Sequence, residues 1–201
     1  MKSKIGTLAI GVFLGLAAVF LGWKVLASPY TYQGSLIDPP VPAADFQLPD
    51  QNGNLFRLSE QKGEVVLIFF GYTHCPDVCP ITMSVYRQVK NQLGDKAKDV
   101  RFVFITVDPE RDTAEVLKQY MANFDPTFIG LTTDRSELEP VWKSYGVYQE
   151  QVDSASAGGY SVDHSATMYA IDTRGNWRLT YPFGIENSKI TEDVLHLLME
   201  K

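Results

Sequence analysis

The 201-residue chain predicts an α/β sandwich built on a mixed sheet. Three observations carry that prediction. The apolar run 65–70 is followed by a helical repeat and then by a second apolar run, 100–107, which together make a βαβ unit with parallel strands. Two further helical patterns flank the short apolar segment 128–131, as expected for continued alternation of helix and strand. Near the C-terminus, residues 167–171 and 177–181 read as a β-hairpin, which adds an antiparallel pair to the sheet.

The first element lies outside the sandwich. Residues 5–23 run for 19 positions without a charge, about 28 Å as a helix against a hydrocarbon core of about 30 Å, and predict a transmembrane anchor over residues 1–27. Lys2 and Lys4 precede the span and only Lys24 follows it, a bias that puts the N-terminus in the cytoplasm and the rest on the extracytoplasmic side, periplasmic or equivalent. Val25, Leu26 and Ala27 offer a signal-peptidase site, but the apolar stretch is longer than a signal peptide needs, which favours an uncleaved anchor. Residues 28–44, with Pro29, Pro39, Pro40 and Pro42, lack periodicity and read as an extended linker. Residues 45–201 are then one folded domain, in keeping with a length that supports a single core.

Within that domain, the run 65–70 is too short for a helix and is flanked by Gly63 and Gly71, so it is a buried strand. Pro76 suits a first helical turn, and Ile81, Val85, Val89 and Leu93 form an apolar row that Gly94 closes. After the strand 100–107, Asp112 with Glu115 marks a helix start whose stripe is Leu117, Tyr120, Met121 and Phe124. Ser136 with Glu139 marks the next, with Leu138, Val141, Trp142 and Tyr145 apolar and Gly146 at its end. Residues 147–151 and 160–163 bracket a mobile small-residue loop, 153–159, in a hairpin-like excursion. Ile190, Val194, Leu197 and Leu198 supply a closing amphipathic helix.

The chemistry concentrates at one place. The only cysteines, Cys75 and Cys79, stand four positions apart directly after the strand 65–70, beside His74. A strand-to-helix turn puts them at a helix N-terminus, which favours thiolate over thiol, so redox or soft-metal chemistry is expected. On a regular helix the Cβ atoms of such a pair are about 5–6 Å apart, beyond the roughly 3.5–4.5 Å of a disulfide. Either the backbone is irregular there or the pair is set for something larger than a bond between sulfurs. From residue 28 onward the chain has 15 basic and 24 acidic residues, a formal charge of −9, which makes nucleic acid a poor partner.

Three blocks, 70–80 (FGYTHCPDVCP), 107–113 (VDPERDT) and 162–166 (VDHSA), resemble the Sco/SenC family in both content and order. The resemblance implies a thioredoxin-like three-layer sandwich, tethered to a membrane, that binds copper and helps to build the binuclear copper centre of cytochrome c oxidase. It implies Cys75, Cys79 and His164 as metal ligands, with subunit II of that oxidase as the recipient and a copper donor and a thiol reductant as further partners. Ala114 departs from the proline that many members carry after the 107–113 block, a change that touches only a helix start. Two thiolates and an imidazole suit Cu(I) and can also hold Cu(II).

The neighbours of this set have alternatives. Asp163 is a candidate to orient the His164 ring from outside the ligand set, or a solvated strand-end acid. Asp108 either shapes its turn or lies near the site at a strand C-terminus. His74 is a rival third ligand, a modulator of the Cys75 thiolate or simply a surface residue. Asp77 complements the helix macrodipole, Met83 and Met168 are expected in the core, and His196 is expected to be inert. The leading function is a copper metallochaperone. A thiol-disulfide reductase acting through Cys75 and Cys79, the one enzymatic reading with weight, is the alternative; it would keep the target's cysteines reduced and has no need of His164. A thiol peroxidase ranks last, because Thr73 is only two residues before Cys75, where a Thr-x-x-Cys setting would be expected.

Overall fold

The computed structural model describes residues 30–153 and 159–200. The expected anchor over 1–27 and residues 154–158 of the expected mobile loop lie outside them. Among the described residues, no helix is long and apolar enough to cross a membrane. Tyr32–Lys201 form one compact unit.

A six-stranded mixed sheet organises that unit. Its strands, numbered along the chain, are β1 (Ser35–Pro42), β4 (Val65–Gly71), β5 (Val100–Thr106), β6 (Ile129–Leu131), β9 (Thr167–Ile171) and β10 (Asn176–Pro182), in the order β1-β10-β9-β4-β5-β6. Two small hairpins stand apart from it, β2 (Gln47–Pro49) with β3 (Leu55–Arg57), and β7 (Gln149–Asp153) with β8 (Tyr160–His164). The helices are α1 (Val78–Leu93), α2 (Ala114–Ala122), α3 (Arg135–Ser144) and α4 (Asn187–Leu197). β4, β5 and β6 are parallel, while β9 runs antiparallel to β4 and to β10. The βαβ unit and the terminal hairpin are thus where the sequence puts them, and the fold is thioredoxin-like.

Every residue of β4 is buried, as expected of a central strand covered on both faces. Alternation then sorts the side chains. Tyr86 of α1 packs on Phe102, and Tyr120 of α2 on Phe104, both on one face of β5. Phe70 meets Tyr145, just past α3, and Tyr169 on the other face. Helix α4 lies beside α1, where Thr191 donates its hydroxyl to Gln92 at 2.7 Å. Met83 and Met168 are buried, as expected of core residues.

Four local readings need correction. Residues 35–42, expected as linker, form the edge strand β1 on β10; prolines are tolerated there because the outer edge has no ladder to complete. The buried stripe of α1 is Cys79, Thr82, Met83, Tyr86, Val89 and Leu93, whereas Ile81 is exposed. Helix α1 begins at Val78, so Pro76 lies in the preceding turn and Asp77 at the N-cap without a side-chain cap bond. The caps of α2 and α3 are Thr113, whose side chain accepts from the Val116 N–H, and Asp134, not Asp112 and Ser136.

Candidate metal centre

The site lies at the carboxyl ends of the parallel strands β4 and β5, the crevice end of an α/β sheet. β4 ends at Gly71, the chain turns through Tyr72–Thr73–His74–Cys75–Pro76–Asp77, and α1 starts at Val78. Cys75 therefore precedes the helix and Cys79 sits in its first turn; the backbone between them is not a regular helical step. This is the irregular alternative that the spacing left open.

Both cysteines are free thiols, Cys79 fully buried and Cys75 partly so. His164, at the end of β8, brings its Nε2 to 3.5 Å from the Cys79 sulfur. The ligating atoms of Cys75, Cys79 and His164 all lie within 4.8 Å of one another, and among the described residues they form the one His/Cys/Asp/Glu cluster able to hold a metal ion. Nδ1 of His164 is 3.1 Å from the Ser165 carbonyl oxygen, which can only accept, so Nδ1 carries a proton and Nε2 is the ring nitrogen turned to the sulfurs. The rings of Phe69 and Tyr72 meet the imidazole edge to face, with centroids 6.0 and 5.7 Å away. An open depression of about 310 Å³, lined in part by Tyr72, Cys75, Pro76, Val162 and His164, leads to the cluster.

The two sulfurs are electrically unlike. The Cys79 thiol, then the His164 ring and the backbone N–H groups of Cys79 and Asp77 stabilise the Cys75 thiolate and hold its pKa down at about 3. The Cys79 N–H, which has no acceptor within the first turn of the helix, points to that sulfur at 3.5 Å. Burial, followed by the adjacent Cys75 thiolate, pushes the Cys79 thiol up.

The remaining expected residues are dispersed around this core. His74 is half-exposed and turns its Nδ1 to the Thr73 hydroxyl at 3.1 Å and toward Asp112 at 3.9 Å, outside the ligand cluster. Asp163 is exposed at the rim of the depression, and the group that meets the imidazole N–H is the Ser165 carbonyl. Asp108 is fully buried beyond the site, in contact with Arg111 and Tyr160. His196 lies on α4 against Glu200 at 3.5 Å and against the Tyr32 ring.

Two contributors have no counterpart in the sequence reading. Asp112 accepts from the Thr73 N–H at 3.0 Å, the Thr73 hydroxyl at 2.6 Å and the Thr106 hydroxyl at 2.7 Å, and so pins the turn that presents Cys75. Gly71 leaves room for a sulfur, since a Cβ there would come within 2.9 Å of Cys79 Sγ and 2.8 Å of the Phe69 ring. The signal for Asp112 was its place in the 107–113 block, where its spacing to Glu115 pointed instead to a helix cap.

Comparison with known proteins finds the chain similar to Sco proteins. A family model described as SCO1/SenC matches residues 37–199. An SCO2-like protein of Rickettsia felis is 35% identical over 174 residues, covering 85% of each chain. The structure of Bradyrhizobium japonicum ScoI with copper bound superposes with a TM-score of 0.70 at 38% identity, covering 80% of this chain and 99% of that one. Arabidopsis thaliana ScoI with copper bound gives a TM-score of 0.73 at 30% identity, covering 80% of this chain and 100% of the other.

Proposed function

The chain belongs to the SCO1/SenC family, and from that membership we propose that it is a copper metallochaperone, tethered to a membrane by residues 1–27 with its folded domain on the extracytoplasmic side. It takes up one copper ion through Cys75, Cys79 and His164 and delivers it to the binuclear copper centre of cytochrome c oxidase, in subunit II. The observation that carries this reading is the convergence of two sulfurs and one imidazole nitrogen within 4.8 Å, contributed by two separate segments. Such a donor set is soft enough for Cu(I) and has the nitrogen that Cu(II) prefers. The copper-bound relatives support copper as the cargo.

The arrangement suits transfer. Copper moves by ligand exchange at constant oxidation state: incoming thiols give up their protons as they bind the metal, Cys75 departs as a thiolate, and Cys79 takes up a proton as it leaves. Cys75, at the open side, exchanges first, and buried Cys79 last. A copper donor and a thiol reductant complete the cycle.

The inequality of the two thiols favours one second reading, a thiol-disulfide reductase. The Cys75 thiolate would attack a target disulfide and release one target thiolate, which takes up a proton. Cys79 would then lose its proton and displace the mixed disulfide, leaving the target reduced by two electrons and Cys75–Cys79 oxidised. Anaerobic titration of Cu(I) into the reduced full-length chain in mild detergent, against a competing chelator and beside His164→Ala, separates the readings. Tight binding of one equivalent that depends on His164 is expected. Weak binding, or binding indifferent to His164, would favour the reductase.

A further inference from the structure

His164 reaches the sulfurs on a strand that the central sheet does not hold. Among the described residues β7 and β8 pair only with each other, and a two-stranded hairpin is at best marginally stable by itself. Something else must fix β8 if the imidazole is to stand at a set distance from Cys79. Val162 anchors the strand in the core, and the polar contacts that hold its start come from the segment after β5, the same 107–113 block that contributes no ligand.

Asp108 closes β5 with its side chain fully buried. One carboxylate oxygen accepts the Tyr160 hydroxyl at 2.7 Å, and the other receives Nε of Arg111. Arg111 in turn donates from Nη1 to the Tyr160 carbonyl at 3.0 Å and lays its guanidinium 3.7 Å from the centre of the Tyr160 ring. Tyr160 is thus gripped at hydroxyl, ring and backbone, four residues before His164 on the same strand. The guanidinium also lies 5.7 Å from the Tyr72 ring, whose edge-to-face contact with His164 carries the support to the imidazole itself. A second tie runs alongside: Arg135 pairs with Glu110 at 2.7 Å and reaches Gln149, the β7 partner of His164, at 3.5 Å.

We propose that Asp108, Arg111 and Tyr160 are positioning residues for the third copper ligand: they brace β8 against the end of β5 and thereby set where His164 meets the metal. The inference rests on His164 being a ligand. It gives the 107–113 block a task distinct from that of the cysteine turn, which Asp112 serves from the same block. A planar fork is what the grip requires, because a lysine would keep the charge for Asp108 but lose both the stacking and the second donor.

The test compares the full-length chain with Tyr160→Phe, which keeps the ring but removes the hydroxyl, with Arg111→Lys, and with His164→Ala. Chelator competition measures affinity for Cu(I) and for Cu(II). Hydrogen exchange on the metal-free protein reports the amides of residues 161–164 and of the central strands. Loss of support around a ligand costs about 10- to 100-fold in metal affinity, and that loss is expected in both brace variants, greater for Cu(II), which depends more on nitrogen. Exchange at 161–164 should quicken while β4, β5 and β9 stay protected. Unaltered affinity in both brace variants, alongside a loss in His164→Ala, would overturn the brace and leave the ligand in place. Affinity unaltered in His164→Ala would overturn the ligand assignment and the brace with it. Faster exchange throughout the sheet would mean general loosening and count against positioning; Arg111→Lys decides the matter should Tyr160→Phe not fold.

Discussion

Gly71 and Cys79 stand so close that a methyl group on the glycine would meet the sulfur at 2.9 Å, in a corner already filled by Phe69 and Phe104. The end of β4 is therefore shaped by the first turn of α1, and the buried sulfur occupies space that only glycine leaves open. Gly71→Ala should destabilise the domain by about 1–3 kcal/mol, the usual cost of overpacking, and displace Cys79 from its neighbours. Denaturant unfolding of the metal-free protein, read with copper stoichiometry, tests this; a variant of unchanged stability and stoichiometry would refute the packing argument.

The contrast between the sulfurs gives a pH prediction. With the Cys75 thiolate held near a pKa of about 3 and Cys79 shifted upward, thiolate absorbance at 240 nm should show one thiolate across the neutral range and no second one at mildly alkaline pH. A depressed acid stabilises the fold above its ordinary range, so the Cys75 contribution should fade as pH falls toward about 3. Cys75→Ser should abolish the neutral-pH signal, and two equal thiolate steps in the unmodified chain would contradict the assignment.

His164→Ala separates the metal from the thiol chemistry. Tight copper binding should be lost, while reduction of a small disulfide by Cys75 and Cys79 continues within a few-fold of its original rate. Either serine substitution, at Cys75 or Cys79, should remove both properties. Equal loss of both in His164→Ala would show that the imidazole serves the thiols rather than the metal.

Asp112→Asn probes the turn. The carboxylate takes three donated hydrogen bonds, and an amide turns N–H groups toward the same donors, so about 1–3 kcal/mol of stability should disappear for each buried donor left unmatched. Copper affinity should fall with it because Thr73 no longer holds the Cys75 turn. Thermal unfolding and chelator competition on the same variant check the pair of effects.

The edge strand predicts where the folded unit begins. Asp193, buried on α4, accepts the N–H groups of Gln33 at 3.0 Å and Gly34 at 2.9 Å, and β1 covers the edge of β10. A chain starting at residue 45 should be less stable by at least 3 kcal/mol, of the order expected when a buried charge loses its donors, than one starting at residue 32. Equal denaturation midpoints would return residues 32–44 to the status of linker.

How far each feature was legible follows from the range of the forces that set it. The strand 65–71 and the parallel 100–106 declare themselves because burial on both faces demands nearly continuous apolar runs, broken in the second only by Arg101 and Thr106. The row Ile81, Val85, Val89 and Leu93 misled because four residues turn a helix by about 400°, so the row drifts by about 40° at each step and carries Ile81 to the surface. β1 has no alternation to read, since an edge strand buries little and its pairing is chosen by β10. Asp112 looked like a cap because its inward bonds to Thr73 and Thr106 are tertiary.

What the sequence determined by itself was the order of elements from residue 65 onward, the two cysteines at a helix entrance and, through three ordered blocks, the family. Local periodicity and short spacing are enough for those. The tertiary structure alone decided that an imidazole 85 residues away closes on Cys79 at 3.5 Å and that Cys75, rather than Cys79, is the thiolate. Both depend on packing that brings β8 against the end of β5 and buries one sulfur while leaving the other at the mouth of the site, and no run of neighbouring residues encodes that.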